Sequence, residues 1–368
     1  MSESWNELLD GTKIAYHRER IDAWERGERI APITIDMSLT RSCNAGCRFC
    51  AAWYQENERK PITEEVMERF LVDCAEIGVK GISLISDGES TISPCFKFTV
   101  KRGKELGIDM AVGTNGMVFT REWSEELLPH LTYLRINFSG GTKERYSEIM
   151  GLKPVWYDKV VQNIRDMVAV KRERGLSCTL GMQFVLMPDF ADQILPFAAL
   201  GKELRPDYAI IKHCSDTRDG ALGVDYSKYD ALDGLLREAE TYSDEGYKCV
   251  VKWTKIKANG GRSYQRCYGP PFILQISGSG LVAPCGGMFN DRFRKFHMGN
   301  IVEQSFKEII LSDRYQEVMR YLSSDQFNAQ KTCDTLCLQH KTNEFLDAYK
   351  KGMRLPVIGA APAHGSFI

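Results

Sequence analysis

From residue 32 to residue 212 the chain alternates short apolar or alternating runs with longer amphipathic ones. The short runs at 33–39, 81–85, 110–113, 133–138, 179–186 and 208–212 predict strands. Between them, 64–77, 96–106, 122–128, 157–174 and 191–204 carry helical periodicity, and Thr63 ahead of Glu64 and Glu65 is a helix start signal. Strands that alternate with helices imply right-handed crossovers and a parallel sheet, which gathers its ligands at the C-terminal strand ends.

The rhythm changes after Asp219. Residues 225–242 read as a helix, 247–253 as a strand and 259–263 as a Gly-rich loop. Residues 272–276 and 281–283 flank Ser277-Gly278-Ser279-Gly280, a hairpin signature. Helical segments at 302–311 and 314–322 follow. These shifts predict an N-terminal extension (1–30), an α/β domain (31–225), a smaller second domain (226–343) and a C-terminal tail (344–368).

Composition adds exclusions. Of 368 residues, 43% are hydrophobic and 26% charged, as in an ordinary globular protein. A formal net charge of −1 advertises neither a nucleic acid nor an anionic membrane as partner. There is no apolar run of about 18 residues and no secretion signal at the N-terminus, so the expectation is a cytoplasmic protein.

Twelve cysteines change the picture. In a cytosolic chain they point to metal ligands, catalytic groups or buried thiols rather than disulfides. Cys43, Cys47 and Cys50 follow directly on the first strand, and three thiolates within eight residues can wrap one cluster, with Gly46 allowing a tight turn. A four-iron cluster needs four ligands, so one iron stays open to a small chelating molecule. A structural zinc would need a fourth ligand nearby, whereas Cys74 lies inside the next helical pattern. A second set, Cys267, Cys285, Cys333 and Cys337, is brought together if the hairpin returns Cys285 toward Cys267; spacing alone leaves a zinc ribbon open for these four. Cys74, Cys95, Cys178, Cys214 and Cys249 are scattered through periodic segments, where small buried hydrophobes are expected.

At Cys43-x3-Cys47-x2-Cys50, with Phe49 before the last cysteine, the chain resembles the radical S-adenosylmethionine (SAM) superfamily. The resemblance implies an α/β fold, a (β/α)6 partial TIM-like barrel, with SAM chelating the open iron of a [4Fe-4S] cluster. It also implies an external electron donor such as flavodoxin or ferredoxin. Where the family has Gly-Gly-Glu-Pro, this chain has Asp87-Gly88-Glu89-Ser90. Gly88 would permit close backbone approach and Glu89 would accept a hydrogen bond from the cofactor's ammonium. Thr114-Asn115-Gly116 matches a Thr-Asn-Gly found in many members; Asn137 and Ser139 are candidates for ribose hydroxyls, and Gln183 lies on the fifth strand. The second cysteine set, with Gly280 five residues before Cys285 and Gly299-Asn300-Ile301 after it, resembles the SPASM/twitch extension, a small α+β domain. Four cysteines instead of seven resemble the twitch form, with one auxiliary [4Fe-4S] cluster whose closed ligation suits electron transfer.

The most chemically equipped strand end is Lys212-His213-Cys214-Ser215-Asp216. Lys212, His213 or Asp216 would serve as a base for oxidation or as a substrate anchor, whereas Cys214 would return a hydrogen atom and give epimerisation. Three functions are therefore open. One is oxidation or epimerisation of a small molecule: a sugar, aminocyclitol or nucleotide sugar. The others are maturation of a peptide and non-catalytic electron transfer. Leader-binding modules of peptide maturases run to about 80–90 residues. Only 42 residues precede Cys43, which favours the small molecule.

Overall fold

The computed structural model describes residues 13–335, 337–355, 359 and 361–368. Its strands are β1 (Thr34–Met37), β2 (Gly81–Leu84), β3 (Asp109–Thr114), β4 (Tyr133–Asn137), β5 (Thr179–Leu186), β6 (Tyr208–His213), β7 (Lys248–Val251), β8 (Ile273–Ile276), β9 (Leu281–Ala283) and β10 (Gly299–Asn300). The chain forms two compact units. One holds the described residues through Ser42, then Tyr54–Met110 and Gly261–Ile368; the other holds Cys43–Trp53 and Ala111–Gly260.

In the first unit β1 runs parallel to both β2 and β8, while β9 and β10 continue antiparallel from β8. The expected hairpin is present, and Gly280 at φ +82° closes its turn. Helix Glu64–Ile77 starts where Thr63 accepts a hydrogen bond from the Val66 N–H and stops at left-handed Gly78. Met67, Phe70, Leu71 and Cys74 form its buried stripe, so Cys74 is a core thiol, as its periodic position suggests. One cluster of the core joins Ile14, Ile21, Ile30, Ile33, Phe272, Ile273, Leu346 and Ile368. The segments expected as an N-terminal extension and a C-terminal tail thus contribute core residues. Short amphipathic pieces such as Arg18–Glu25 cannot reveal by pattern alone what their apolar side covers.

In the second unit β3 to β7 are all parallel and ordered as in the chain. Side chains alternate with period two. Leu134, Ile136, Leu180, Met182, Phe184, Leu186, Ala209 and Ile211 are buried on one face. Helices cover that face; the Phe197 ring of helix Ile194–Leu204 lies 5.4 Å from Phe184. The other face carries the registered rows Arg135–Gly181–Tyr208 and Asn137–Gln183–Ile210, then Val185–Lys212, with Tyr133 opposite Thr179.

One expectation changes here, and one helix was not expected. The boundary at residues 220–225 is not where the units divide: helix Asp233–Glu240 and β7 follow, and β7 pairs parallel with β6 through Ala209↔Cys249 to Ile211↔Val251. The Cys249-Val250-Val251 run is buried as a parallel strand requires, and its pattern does not say which domain owns it. Helix Lys143–Met150, ending at left-handed Gly151, escaped the pattern because only Tyr146, Ile149 and Met150 of its eight residues are buried. Among the described residues no helix is long and apolar enough to cross a membrane.

Candidate active site

The Cys43–Cys50 loop is held at its middle. The Gly46 N–H donates to the Met150 carbonyl (3.0 Å) and the Arg48 N–H to the Ile149 carbonyl (2.9 Å), so the loop lies along the end of helix Lys143–Met150. A Cβ on Gly151 would stand 2.4 Å from the Gly46 carbonyl oxygen, so this approach needs glycine. From the end of β3, Asn115 Nδ2 donates to Asn44 Oδ1 at 2.6 Å, pinning the loop a second time. Cys43 is exposed, while Cys47 and Cys50 are half-buried. Three thiols on a loop pinned at Asn44, Gly46 and Arg48 suit a cluster with one open iron.

The 86–90 loop belongs to the other unit. Gly88 has φ +133°, and a Cβ there would meet the Thr40 carbonyl oxygen at 2.0 Å. Glu89 donates its backbone N–H to the Ser42 carbonyl (2.9 Å), one residue before Cys43, and its buried carboxylate accepts from the Thr91 hydroxyl at 2.6 Å. The two departures from Gly-Gly-Glu-Pro have structural uses. Asp87 accepts from Ser277 Oγ (2.6 Å) and the Gly278 N–H (2.8 Å) of the β8–β9 turn and pairs with Arg41 (3.3 Å). Burial nevertheless pushes the Asp87 carboxyl above the usual carboxylate range. Ser90 Oγ bonds Ser38 Oγ and the Leu39 N–H, both at 3.2 Å.

The second cysteine set is also in this unit. Burial first, and then the neighbouring thiols, push Cys267, Cys285 and Cys333 upward, Cys333 to about 12 after partial relief from Arg262. Cys333 and Cys337 are among the charges that act on both Cys267 and Cys285. Thiols that oppose one another's ionisation are relieved by a polycation, which fits metal-cluster ligation. Among the described residues no three His, Cys, Asp or Glu side chains converge as ligands of a single metal ion do. Gln339 Nε2 donates to the carbonyls of Ile273 and Pro284, next to Cys285, while Asn343 Nδ2 donates to Cys267 Sγ at 3.6 Å and its Oδ1 accepts from the Tyr268 and Gly269 N–H groups. Arg262 bonds the Asp334 and Thr335 carbonyls between Cys333 and Cys337.

Residues 37–193 match the model of the radical SAM superfamily, and residues 267–338 match that of the SPASM iron–sulfur cluster-binding domain. The chain carries a radical SAM domain and a SPASM domain. Its cofactors are iron–sulfur clusters and SAM. The tungsten-containing aldehyde ferredoxin oxidoreductase cofactor-modifying protein of Pyrococcus furiosus is 20% identical over 76% of this chain and 81% of its own. The AdoMet-dependent heme synthase of Methanosarcina barkeri is 23% identical over 76% and 82%. Streptococcus suis SuiB, solved bound to SAM, is similar in structure with a TM-score of 0.62 at 16% identity, covering 83% of this chain and 72% of that one. The likeness shows the fold: a partial TIM-like barrel followed by a SPASM-type domain.

Most of the expected strand-end residues belong to the unit that holds the cysteine loop. Thr114 Oγ1 accepts from the Gly116 N–H (3.0 Å) and shapes the turn that presents Asn115. Gln183 Nε2 donates to Asn137 Oδ1 (3.3 Å), and buried Ser139 accepts from the Val185 N–H (3.1 Å). Phe49 is largely buried, and its carbonyl lies 3.8 Å from Cys214 Sγ. Burial, then the Asp216 charge, push the Cys214 thiol up to about 12, so it stays S–H at neutral pH.

The expected base residues divide. Lys212 is on the polar face in register with Val185, and burial followed by Lys255, Arg135 and Lys252 holds its ammonium well below the usual lysine range. His213 is on the opposite, helix-covered face opposite Leu186, with Nδ1 donating to the Cys214 carbonyl (2.8 Å) and Tyr226 at 5.7 Å between ring centres. Burial pushes it down to about 3. Asp216 accepts from the backbone N–H groups of Thr217, Leu222 and Val224 (2.7, 2.8 and 3.1 Å) and is the nucleus of its loop. Strand parity excludes His213 from the polar face, and loop folding occupies Asp216. Asn44, Gly151, Gln339 and Asn343 are positioning residues that motif reading passed over, and Asn115 entered it only as the middle of the Thr-Asn-Gly match. Gly151 alone carried a signal, a glycine just after a helix.

Proposed function

We propose that this protein replaces a hydrogen atom on a small polar molecule, a sugar, aminocyclitol or nucleotide sugar, by radical epimerisation. When bound and reduced, the cluster and SAM supply a 5′-deoxyadenosyl radical able to remove hydrogen from an unactivated C–H bond. The observation that carries the reading is Cys214, whose sulfur lies 3.8 Å from the Phe49 carbonyl of the cysteine loop and whose proton burial retains. A neutral thiol is a hydrogen-atom donor, whereas a thiolate is not, and the thiyl left by the donation would be restored by one electron from the external donor and one proton from solvent. Oxidation would instead need a base for the hydroxyl proton. Two of the three expected bases, His213 and Asp216, are committed elsewhere.

In this reading Asn137 and Ser139 hold cofactor hydroxyls, and Cys267, Cys285, Cys333 and Cys337 close one auxiliary cluster. The working protein sits in the cytoplasm and draws electrons from a flavodoxin or ferredoxin. The likeness to SuiB, also solved with its precursor peptide SuiA, supports peptide modification as the second reading. The test is turnover of candidate substrates in D2O. Solvent deuterium in an epimerised product, lost in Cys214→Ala, is the expected result. A product two electrons more oxidised, formed equally well by Cys214→Ala, would overturn the epimerase reading, and activity confined to peptides would favour the second.

A further inference from the structure

We propose that Tyr226 and Tyr229 are positioning residues for the Cys214 thiol. Their hydroxyls hold the backbone on both sides of Cys214 where β6 leaves the sheet, and so keep its S–H on the Phe49 carbonyl of the cysteine loop. The inference rests on the reading of Cys214 as a hydrogen donor and adds the residues that place it. Cys214 is the first residue beyond β6. β7 pairs with β6 only as far as Ile211, and β5 only as far as His213. The Cys214 N–H is shared between the Leu186 carbonyl (2.8 Å) and the Tyr229 hydroxyl oxygen (3.1 Å), and the Tyr229 hydroxyl donates to that same carbonyl. On the other side, the Tyr226 hydroxyl donates to the Cys214 carbonyl (2.9 Å) and accepts from the Asp216 N–H (2.9 Å).

The local sequence explains how both hydroxyls reach one residue. Tyr226 and Tyr229 stand three apart on the 3-10 helix Tyr226–Leu232, where side chains at that spacing are eclipsed. Asp225 caps this helix by accepting from the Ser227 N–H (3.1 Å). The two rings lie 5.9 Å apart, and His213 packs against both, at 5.7 and 6.1 Å between centres. The sulfur's own contacts are weak: 3.8 Å to the Phe49 carbonyl and 3.9 Å to the Ser215 carbonyl, from an S–H that is a poor donor. Such contacts do not hold a side chain, so the backbone sets the sulfur's place, and the two hydroxyls fix that backbone through stronger O–H and N–H bonds. Hydrogen-atom transfer needs its donor at close range, and misplacement by about 1 Å can cost about a hundredfold in rate.

The test reads the S–H stretch of Cys214 by infrared difference spectroscopy on the anaerobically reconstituted full-length protein, the band being the one that Cys214→Ala removes. In the unaltered protein it should lie at the frequency of a hydrogen-bonded thiol. Tyr226→Phe and Tyr229→Phe should each move it toward that of a free thiol, with iron content and SAM affinity unchanged. Tyr226 is half-buried, so Tyr226→Phe carries the test should Tyr229→Phe fail to fold. Tyr321→Phe removes a hydroxyl that donates to the Gln326 carbonyl in the other unit and should change nothing. With the sugars, aminocyclitols and nucleotide sugars tested in D2O, epimer formed per 5′-deoxyadenosine should fall at least about tenfold in Tyr226→Phe, while SAM cleavage stays within about twofold. A band already at the free-thiol position, an unmoved band in Tyr226→Phe, or a shift accompanied by loss of iron and SAM affinity would overturn the positioning role. A band that depends on the tyrosines, in a protein whose product forms equally well in Cys214→Ala, would refute the epimerase reading and leave the positioning role standing. Deuterium incorporation that needs Cys214 but is indifferent to Tyr226→Phe would refute the positioning role alone.

Discussion

Gly151 and Gly175 make a matched pair of perturbations. Each follows a helix, at φ +63° and +60°. A Cβ on Gly175 would meet nothing within 4 Å, whereas one on Gly151 would stand 2.4 Å from the Gly46 carbonyl oxygen. Alanine at either position pays the left-handed penalty of roughly 1–2 kcal/mol. At Gly151 overpacking adds about 1–3 kcal/mol. Ordinary contact begins at 3.4 Å, so the cysteine loop must retreat by about 1 Å (3.4 less 2.4). Misplacement on that scale can cost about a hundredfold in rate. Gly175→Ala should therefore lose about 1–2 kcal/mol in chemical denaturation, keep its iron and cleave SAM normally. Gly151→Ala should lose about 2–5 kcal/mol and show both reduced iron loading and slower SAM cleavage. Equal behaviour of the two variants would mean that the 149–151 turn does not position the cluster loop.

Two further predictions follow from the same geometry. Folding depresses the His213 pKa from about 6.5 to about 3, so its stabilising contribution is complete above pH 6.5 and declines as the pH falls below it. Between pH 7.5 and 5.5 the protein should lose about 1.4 kcal/mol more than His213→Gln; equal losses would show that the imidazole is not held neutral. Asn343→Leu removes a donor to Cys267 Sγ and should make the auxiliary cluster's reduction potential more negative, measured by redox titration with electron paramagnetic resonance. An unchanged potential would mean that the 3.6 Å contact is not a hydrogen bond to a cluster ligand.

The strand–helix alternation was legible because each element repeats one period for long enough. β5 spans residues 179–186 as expected, and helix Glu64–Ile77 has its expected ends. The first cysteine set stood out because Cys43, Cys47 and Cys50 lie within eight residues, as ligands of one metal centre do. What stayed hidden depends on pairing. Strand parity places Lys212 and His213 on opposite faces, yet nothing in two consecutive polar letters says which face the helices cover. Asn115 and Asn343 act through partners 71 and 76 residues away, and a lone asparagine in a turn or helix gives no sign of that. Asp87 seemed only a departure from the family motif, because its acceptors' partners lie 190 residues further on.

Asp87 shows how a motif can change without losing its geometry. In the first unit the backbone at Thr40–Arg41 runs between two glycines: a Cβ on Gly88 would meet the Thr40 carbonyl oxygen at 2.0 Å, and one on Gly278 the Thr40 carbonyl carbon at 2.2 Å. Both approaches are too close for any other residue, so the 86–90 loop and the β8–β9 turn must arrive together. Asp87 links them, accepting from Ser277 and Gly278 while facing Arg41. A glycine at 87 would leave the Gly278 N–H without this acceptor in a buried place, at a cost of about 1–3 kcal/mol. The Asp87 carboxylate is therefore selected by the hairpin that leads to Cys285, and Gly88-Glu89 keeps the family pattern because its own contacts, to Thr40 and Ser42, lie beside the chain leading into Cys43.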